Sequence, residues 1–384
     1  MQELNLITPS RSSRSLSTCP MDEIEFMVEE QNIEDISAQL IRDHCLCVQC
    51  RDPLSGQRLR SVLELDPELV VTEIEEDEEG GVVTFILSDG HQVELSAETV
   101  EDITQELVPL NLRGEGAKVL WDAENAPTES FNWLEISIDN ALMYEMLDQI
   151  LTFGFAVVEN LPTRDRAVLD LIKSFGYPRV TNYGDIFEVR IENDPNNLAF
   201  TNLPISPHTD NPYRDPVPTL QLLHCLETNV AGGNSGLVDG FRAAIVLREN
   251  DPESFDVLSN RLFHFEYLNP TTHLTNTAPI IKVDSMEEIV EIRWNDRSMQ
   301  PPYNDVDIEE VYDALRAFAV IVNDPANMHE FRLEPGHCVI FDNTRLLHSR
   351  TGFESSGKRH LQGAYADLDS LISKWSILED TLDS

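Results

Sequence analysis

The chain has 384 residues, with 69 acidic side chains against 27 basic ones and a formal net charge of −42. So acidic a balance repels nucleic acid and anionic membrane surfaces, and neither is expected as a partner. The 41% apolar content suffices for a buried core, yet no stretch is apolar for long enough to span a bilayer. At the N-terminus, Met1–Thr18 is rich in Ser and Arg and lacks the apolar stretch of a secretory signal, so residues 1–22 are expected to be disordered. Residues 23–110 read as a small β-rich domain. In it, Val82–Leu87 and His91–Leu95 flank Ser88-Asp89-Gly90, the turn signal of a hairpin, while the acidic run Glu75–Glu79 reads as a solvated loop. Residues 111–132 contain Gly, Pro and Asn and read as a linker.

A second domain is expected over residues 133–384. It opens with a helix over Asp139–Leu151, whose Leu142, Met146, Leu147 and Ile150 recur at helical spacing, and Gly154 stops it. Phe155–Val158 is a short buried strand, and a second helix spans Arg164–Phe175. Strands are expected at Asn197–Thr201, Thr219–Leu226, Gly236–Val238 and Val339–Phe341. Helices are expected at Phe241–Glu249, Ile308–Val322 and Leu368–Leu378. Many short strands with helical insertions fit a double-stranded β-helix, a jelly roll with flanking helices.

Two clusters of side chains carry chemistry. The first is Cys45-Leu-Cys47-Val-Gln-Cys50, with His91 on the expected hairpin 41 residues after Cys50. Three thiolates and one imidazole match a closed tetrahedral Zn(II) site, which would supply folding free energy to a small unit. Six cysteines are too few for a disulfide scaffold in a chain this long, and their clustering points to a reducing, cytoplasmic compartment.

The second cluster is Ser206-Pro-His208-Thr-Asp210-Asn-Pro212 together with Phe341-Asp-Asn-Thr-Arg-Leu-Leu-His348. Residues i and i+2 of a strand share a face, so His208 and Asp210 can point together, and His348 from a neighbouring strand completes a facial triad for Fe(II). Such a triad leaves positions open for a co-substrate and O2. Arg359 stands eleven residues beyond His348, and its guanidinium suits bidentate recognition of a carboxylate. This order of His-X-Asp, distal His and Arg is that of 2-oxoglutarate-dependent oxygenases.

Together with Leu222-Leu-His-Cys225, Gly232–Phe241 and Arg359–Asp367, these segments resemble the γ-butyrobetaine dioxygenase family, which includes trimethyllysine dioxygenases and bacterial trimethylaminoethylphosphonate hydroxylases. The resemblance covers nearly the whole chain. It implies an N-terminal zinc domain, a jelly-roll oxygenase domain and a homodimer. Carried over by position, it places Leu223 and Ser235 beside 2-oxoglutarate with Arg359. It places Tyr183, Phe187, Phe200 and Tyr365 around a trimethylammonium group, as a cation–π enclosure requires. It puts Asn197, Asn211 and Asn295, with Arg297 nearby, at the acidic end of the substrate. A phosphonate has three oxygens and wants more donors than a carboxylate. The expected substrate is therefore 2-(trimethylammonio)ethylphosphonate, hydroxylated at the carbon next to phosphorus, with γ-butyrobetaine as the alternative. A non-catalytic jelly-roll binding protein is disfavoured by the intact triad and Arg359. A zinc hydrolase is disfavoured because no general base with a recognisable signature accompanies the ligands.

Overall fold

The computed structural model describes residues 33, 36–77, 81–104, 117–190, 201–302, 307–354 and 357–382. The segment 1–22 and, but for Thr201, the expected strand Asn197–Thr201 lie outside them. Contacts group the chain into two compact units, Met1–Pro109 and Leu110–Ser384.

In the first unit, helix α1 (Ala38–Asp43) precedes an antiparallel sheet of β1 (Val71–Glu76), β2 (Val82–Leu87) and β3 (Gln92–Ser96), and α2 (Ala97–Thr104) follows it. Alternation puts Val83, Phe85 and Leu87 of β2 and Val93 and Leu95 of β3 into one core with Ile41 and Val100. Gly90 closes the hairpin at φ +81°, a left-handed conformation that explains the Asp-Gly sequence. The acidic run differs from the sequence reading. Glu75 and Glu76 end β1, paired with Thr84 and Val83, and both side chains remain exposed. Charge there marked solvation of the side chains, which an edge strand tolerates, and not the absence of backbone pairing.

The second unit holds a six-stranded sheet in the order β4 (Ser130–Asn132), β5 (Phe155–Glu159), β15 (Cys338–Asp342), β8 (Leu220–Thr228), β17 (Arg359–Ala366), β6 (Phe187–Arg190). A four-stranded sheet faces it, ordered β14 (Met328–Phe331), β9 (Ser235–Asp239), β16 (Leu346–Arg350), β7 (Ile205–His208). Their inner faces meet through Phe155, Val339, Phe341, Cys225 and Leu361 of the larger sheet and Leu237 and Leu346 of the smaller. This is the expected jelly roll. Two further hairpins pair β10 (Phe263–Asn269) with β11 (Thr272–Ala278) and β12 (Ile281–Val283) with β13 (Ile289–Ile292).

Helices cover both outer faces. Leu220, Leu222, Ala364 and Ala366 alternate outward from β8 and β17 to meet α4 (Asn140–Phe153), α5 (Val168–Phe175) and α9 (Leu368–Leu382), while the short α3 (Trp133–Ile136) packs beside α4. On the other side, Val238 and Leu347 pack under α6 (Gly240–Asn250), α7 (Pro252–Asn260) and α8 (Ile308–Val322). The expected first helix begins where the Asp139 carboxylate accepts from the N–H groups of Ala141 and Leu142, and it ends on Gly154 at φ +87°. Of residues 111–132, read as a linker, the described part 117–132 packs within this unit. Trp121 is buried, its indole N–H donates to the Phe153 carbonyl at 2.7 Å, and β4 joins the larger sheet.

One buried ion pair joins these layers. Arg345, between β15 and β16, meets Asp239 at 2.7 Å with both side chains fully buried. Arg345 also donates to the carbonyls of Thr152 and Val119, and Asp239 caps α6 at the N–H groups of Phe241 and Arg242. Removing one partner of such a pair strands a charge in the core. Arg345→Ala is therefore expected to lower unfolding free energy by about 3–5 kcal/mol, read from urea unfolding curves with unchanged slope.

Candidate active site and metal centres

Strands β7 and β16 pair antiparallel with His348 directly opposite His208, and the two imidazole centroids are 4.0 Å apart. Strand β7 ends at His208, so strand alternation does not position Asp210. Asn343 does: its amide oxygen accepts from the Asp210 N–H at 2.7 Å, and its Nδ2 donates to the carbonyls of Asp210 and Pro218 at 2.9 and 3.0 Å. The clamp turns Asp210 Oδ1 toward Nε2 of His208 and of His348, at 3.4 and 4.0 Å. His208 Nδ1 donates to the Ser206 carbonyl at 2.9 Å, which fixes the tautomer that leaves an Nε2 lone pair facing Asp210.

Burial, with the neighbouring His208, pushes His348 down to about 3, so its imidazole is neutral at neutral pH. Burial alone would raise Asp210, but the His208 and His348 imidazoles overcome it and hold the carboxylate well below its usual range. The three ligand atoms lie within 4.8 Å of one another. Two imidazoles and one carboxylate on one side of a cavity are the donor set of Fe(II) with open positions. The residues fit the metal.

The cavity, about 470 Å³, lies between the two sheets. Arg359, Leu223 and Ser235 all line it. Arg359 sits with its guanidinium 5.4 Å above the Phe353 ring and donates to the Gly233 carbonyl at 3.2 Å. Gly233 has φ +73°, and a Cβ there would come to 3.0 Å from Arg359 Nε, so the turn must be glycine to admit the arginine. Burial lowers Arg359 to about 10, which still leaves it charged at neutral pH. It has no carboxylate partner among the described residues, and the orphaned guanidinium fits the distal carboxylate of 2-oxoglutarate.

Tyr183, Phe187 and Tyr365 come together on the same cavity. Phe187 stacks on Tyr365 at 5.0 Å and tilts against Tyr183 at 6.3 Å. Gly363 makes that stacking possible, since a Cβ there would meet the Phe187 ring at 2.1 Å. Phe200 and Asn197 lie outside the described residues. Asn211, Asn295 and Arg297 also line the cavity. Asn295 is engaged by its own loop, its Nδ2 donating to the Thr209 carbonyl and its Oδ1 accepting from the Arg297 N–H. Asn211 Nδ2 is buried without a partner, and the Arg297 guanidinium is lowered by burial and raised again by the nearby charges of Asp210 and Asp296.

Sequence reasoning missed several cavity residues, among them Glu188, Glu266 and Arg350 and, most informatively, Tyr213, Tyr267 and Gln221. Tyr213 and Tyr267 stack at 5.1 Å, and Tyr267 meets Tyr183 at 6.0 Å, so they extend the aromatic wall. Tyr213 directly follows the motif Ser206–Pro212, and that adjacency was a usable signal; Tyr267 lies on the β10–β11 hairpin, where nothing local marks it. Gln221 is 1% exposed and its Oε1 has no partner. It alternates inward beside Leu223 on β8, an apolar strand in which a glutamine facing the core was the available signal.

In the first unit, His91 Nε2 lies 3.2, 3.6 and 3.7 Å from the sulfurs of Cys45, Cys47 and Cys50. A tetrahedral zinc with bonds of about 2.3 Å to sulfur and 2.0–2.1 Å to nitrogen separates S and N by about 3.6 Å. Burial pushes the Cys45 thiol up to about 11, so a cation must replace its proton for it to ligate. The four side chains fit zinc.

A model of the taurine catabolism dioxygenase TauD, TfdA family matches residues 116–365. The γ-butyrobetaine dioxygenase of Pseudomonas sp. strain AK-1 is 30% identical, over 88% of this chain and 89% of its own. The human γ-butyrobetaine dioxygenase is 28% identical over 97% and 98%, and the trimethyllysine dioxygenase of Meyerozyma guilliermondii is 28% identical over 88% and 89%.

Metal analysis is expected to find one zinc per chain besides the iron. Cys50→Ser should lose that zinc and lower the melting temperature. A zinc-free wild-type protein that melts at the same temperature would refute the assignment.

Proposed function

This chain belongs to the TauD, TfdA dioxygenase family and is a 2-oxoglutarate-dependent dioxygenase that uses Fe(II), and we propose that it hydroxylates a small trimethylammonium zwitterion. The observation that carries the proposal is the two-signed cavity. Glu188, Asp210 and Glu266 line it with the aromatic side chains Tyr183, Phe187, Tyr213, Tyr267 and Tyr365, and Arg297, Arg350 and Arg359 line it with Asn211. Ring faces and carboxylates attract a cation that has no N–H to donate. Guanidinium and amide N–H groups take an anion. Relatives named for γ-butyrobetaine and trimethyllysine support the trimethylammonium end.

The residues divide the work as follows. His208, Asp210 and His348 hold the iron, and Arg359, with Leu223 and Ser235 beside it, orients 2-oxoglutarate. Tyr183, Phe187 and Tyr365, extended by Tyr213 and Tyr267, surround the trimethylammonium group, with Phe200 assigned there from the sequence. Arg297 and Asn211 anchor the acid, with Asn197 assigned from the sequence and Asn295 bracing the loop that carries Arg297. Iron and 2-oxoglutarate, when bound, supply the oxidising power that converts C–H to C–OH with O2, releasing succinate and CO2. Fixing both ends of the substrate leaves one middle carbon toward the iron, and the stacked rings exclude water from it.

The Arg297 guanidinium and the unpartnered Asn211 amide N–H at the acid end favour a phosphonate, whose three oxygens use more donors than a carboxylate. The leading substrate is therefore 2-(trimethylammonio)ethylphosphonate, hydroxylated next to phosphorus. The names of the relatives favour γ-butyrobetaine instead. Comparing kcat/KM for both decides. The phosphonate is expected to be preferred, and Arg297→Ala should cost it about 1.5–3 kcal/mol, roughly 10- to 150-fold. A clear preference for γ-butyrobetaine would reject the phosphonate, and turnover of neither would reject the aromatic enclosure.

A further inference from the structure

The Asp210 carboxylate has two oxygens in unlike surroundings. Oδ1 faces the His208 and His348 Nε2 atoms at 3.4 and 4.0 Å. Oδ2 points the other way and accepts a hydrogen bond from the Tyr365 hydroxyl at 2.8 Å. That hydroxyl belongs to a ring already stacked on Phe187 at 5.0 Å with 29° between planes, and the residue is 4% exposed. Tyr365 sits on β17 of the larger sheet, whereas Asp210 follows β7 of the smaller one. Their hydrogen bond crosses the gap between the sheets at the cavity.

A carboxylate with two free oxygens can chelate a metal through both. Chelation would occupy a fourth position on the ion. Two of the three positions a facial triad leaves are needed by the keto acid and one by O2, so chelation by Asp210 would leave no room for O2. The backbone clamp of Asn343 fixes where Asp210 sits but leaves the carboxylate free to rotate about its terminal torsion, which is broad for aspartate. Only a group bound to Oδ2 removes that freedom. Among the described residues Tyr365 is the one that makes such a bond.

We propose that Tyr365 is a positioning residue for the metal as well as a wall of the cation enclosure: its hydroxyl holds Asp210 to one-oxygen ligation while its ring faces the substrate. The inference rests on the reading of His208, Asp210 and His348 as the iron ligands. It predicts that ring and hydroxyl can be separated by substitution. Tyr365→Phe keeps the ring and removes the bond to Oδ2. Phe187→Leu removes a ring that touches no ligand.

Two readouts are followed without oxygen. Mn(II) affinity comes from titration followed by the free-ion EPR signal, and the visible absorption band of the Fe(II)·2-oxoglutarate protein reports the ligand field. Dissociation of the trimethylammonium substrate is measured separately by calorimetry. Tyr365→Phe is expected to weaken Mn(II) binding by roughly 10- to 100-fold, as loss of a partner that orients a metal ligand does. It should also shift the absorption band while substrate affinity stays within about twofold. Phe187→Leu should do the reverse. Melting of the metal-free variants checks the fold, and replacing Tyr365 by 4-aminophenylalanine, which restores an N–H donor at the same place, should recover metal affinity.

Unchanged Mn(II) affinity and an unchanged band in Tyr365→Phe would overturn the inference. So would a loss in Tyr365→Phe that the amino analogue fails to recover. Undiminished Mn(II) binding by Asp210→Ala would instead overturn the underlying ligand assignment, so the two failures are distinguishable.

Discussion

The placement of one loop residue, Asp210, is the constraint on which the site depends. A metal triad needs three donors on one side of a point. Two of them come at no special cost, because His208 and His348 are opposite neighbours in a strand pair. The third follows the end of its strand and must be brought back by other contacts. Asn343 does this with three hydrogen bonds from one amide, and it is 1% exposed. Nearby residues of the same run are equally committed. The Asp342 carboxylate accepts from the N–H of Thr344, and Arg345 forms the buried pair with Asp239. The run Asp342–His348 is thus a single brace. It ties β15, the β7 loop, the start of α6 and the metal strand together, and it leaves little room for independent substitution.

Charge organises the cavity on a second scale. At physiological ionic strength a field reaches about 8 Å, so most of the net charge of −42 is screened from the site. What a bound zwitterion feels is the local arrangement. Arg350 and Arg359 both lie over the Phe353 ring, at 5.0 and 5.4 Å. The ring's negative faces offset the repulsion between the two guanidinium groups. Burial nevertheless lowers both arginines to about 10, with the Arg359 and Arg297 charges adding to the effect at Arg350. An anion entering beside them relieves that repulsion. This is a reason for the co-substrate's carboxylate to bind there that does not depend on shape.

Chemistry that is local in the chain was legible in the sequence. Cys45-Leu-Cys47-Val-Gln-Cys50 and His208-Thr-Asp210 bring ligands within a few residues of each other, so spacing alone limits where they can point. The hairpin signal Asp89-Gly90 placed His91 near a turn, and the structure sets it against the three sulfurs. The helix Ile308–Val322 was read to its exact ends because its apolar face is regular, and α6 and α9 were read to within a few residues. What escaped is made by contacts between distant segments. Asn343 sits in a motif noticed for His348, yet its partner is 133 residues away. Tyr267 projects from a hairpin that the sequence reading did not find, since β11 alternates polar residues with few apolar ones. Asp210 looked like a strand residue by its i, i+2 spacing, but the strand stops at His208, and the convergence is supplied by a side chain instead of by the pleat.

The buried groups left without partners give the last step. In a folded interior nearly every buried donor and acceptor is paired, and leaving one unpaired costs about 1–3 kcal/mol. Three of the exceptions among the described residues, Asn211 Nδ2, Gln221 Oε1 and His348 Nδ1, belong to residues lining the same cavity. Gln221 is the clearest case, because an apolar side chain there would remove the penalty, whereas Asn211 also holds a left-handed backbone at φ +58° and accepts from the Tyr213 hydroxyl at 2.8 Å. The cavity lining thus carries polar atoms that no protein group among the described residues satisfies. Occupants that satisfy these atoms recover that free energy on binding, while an apolar molecule of the same size recovers none. A polar occupant is in this sense favoured over an apolar one by the lining itself.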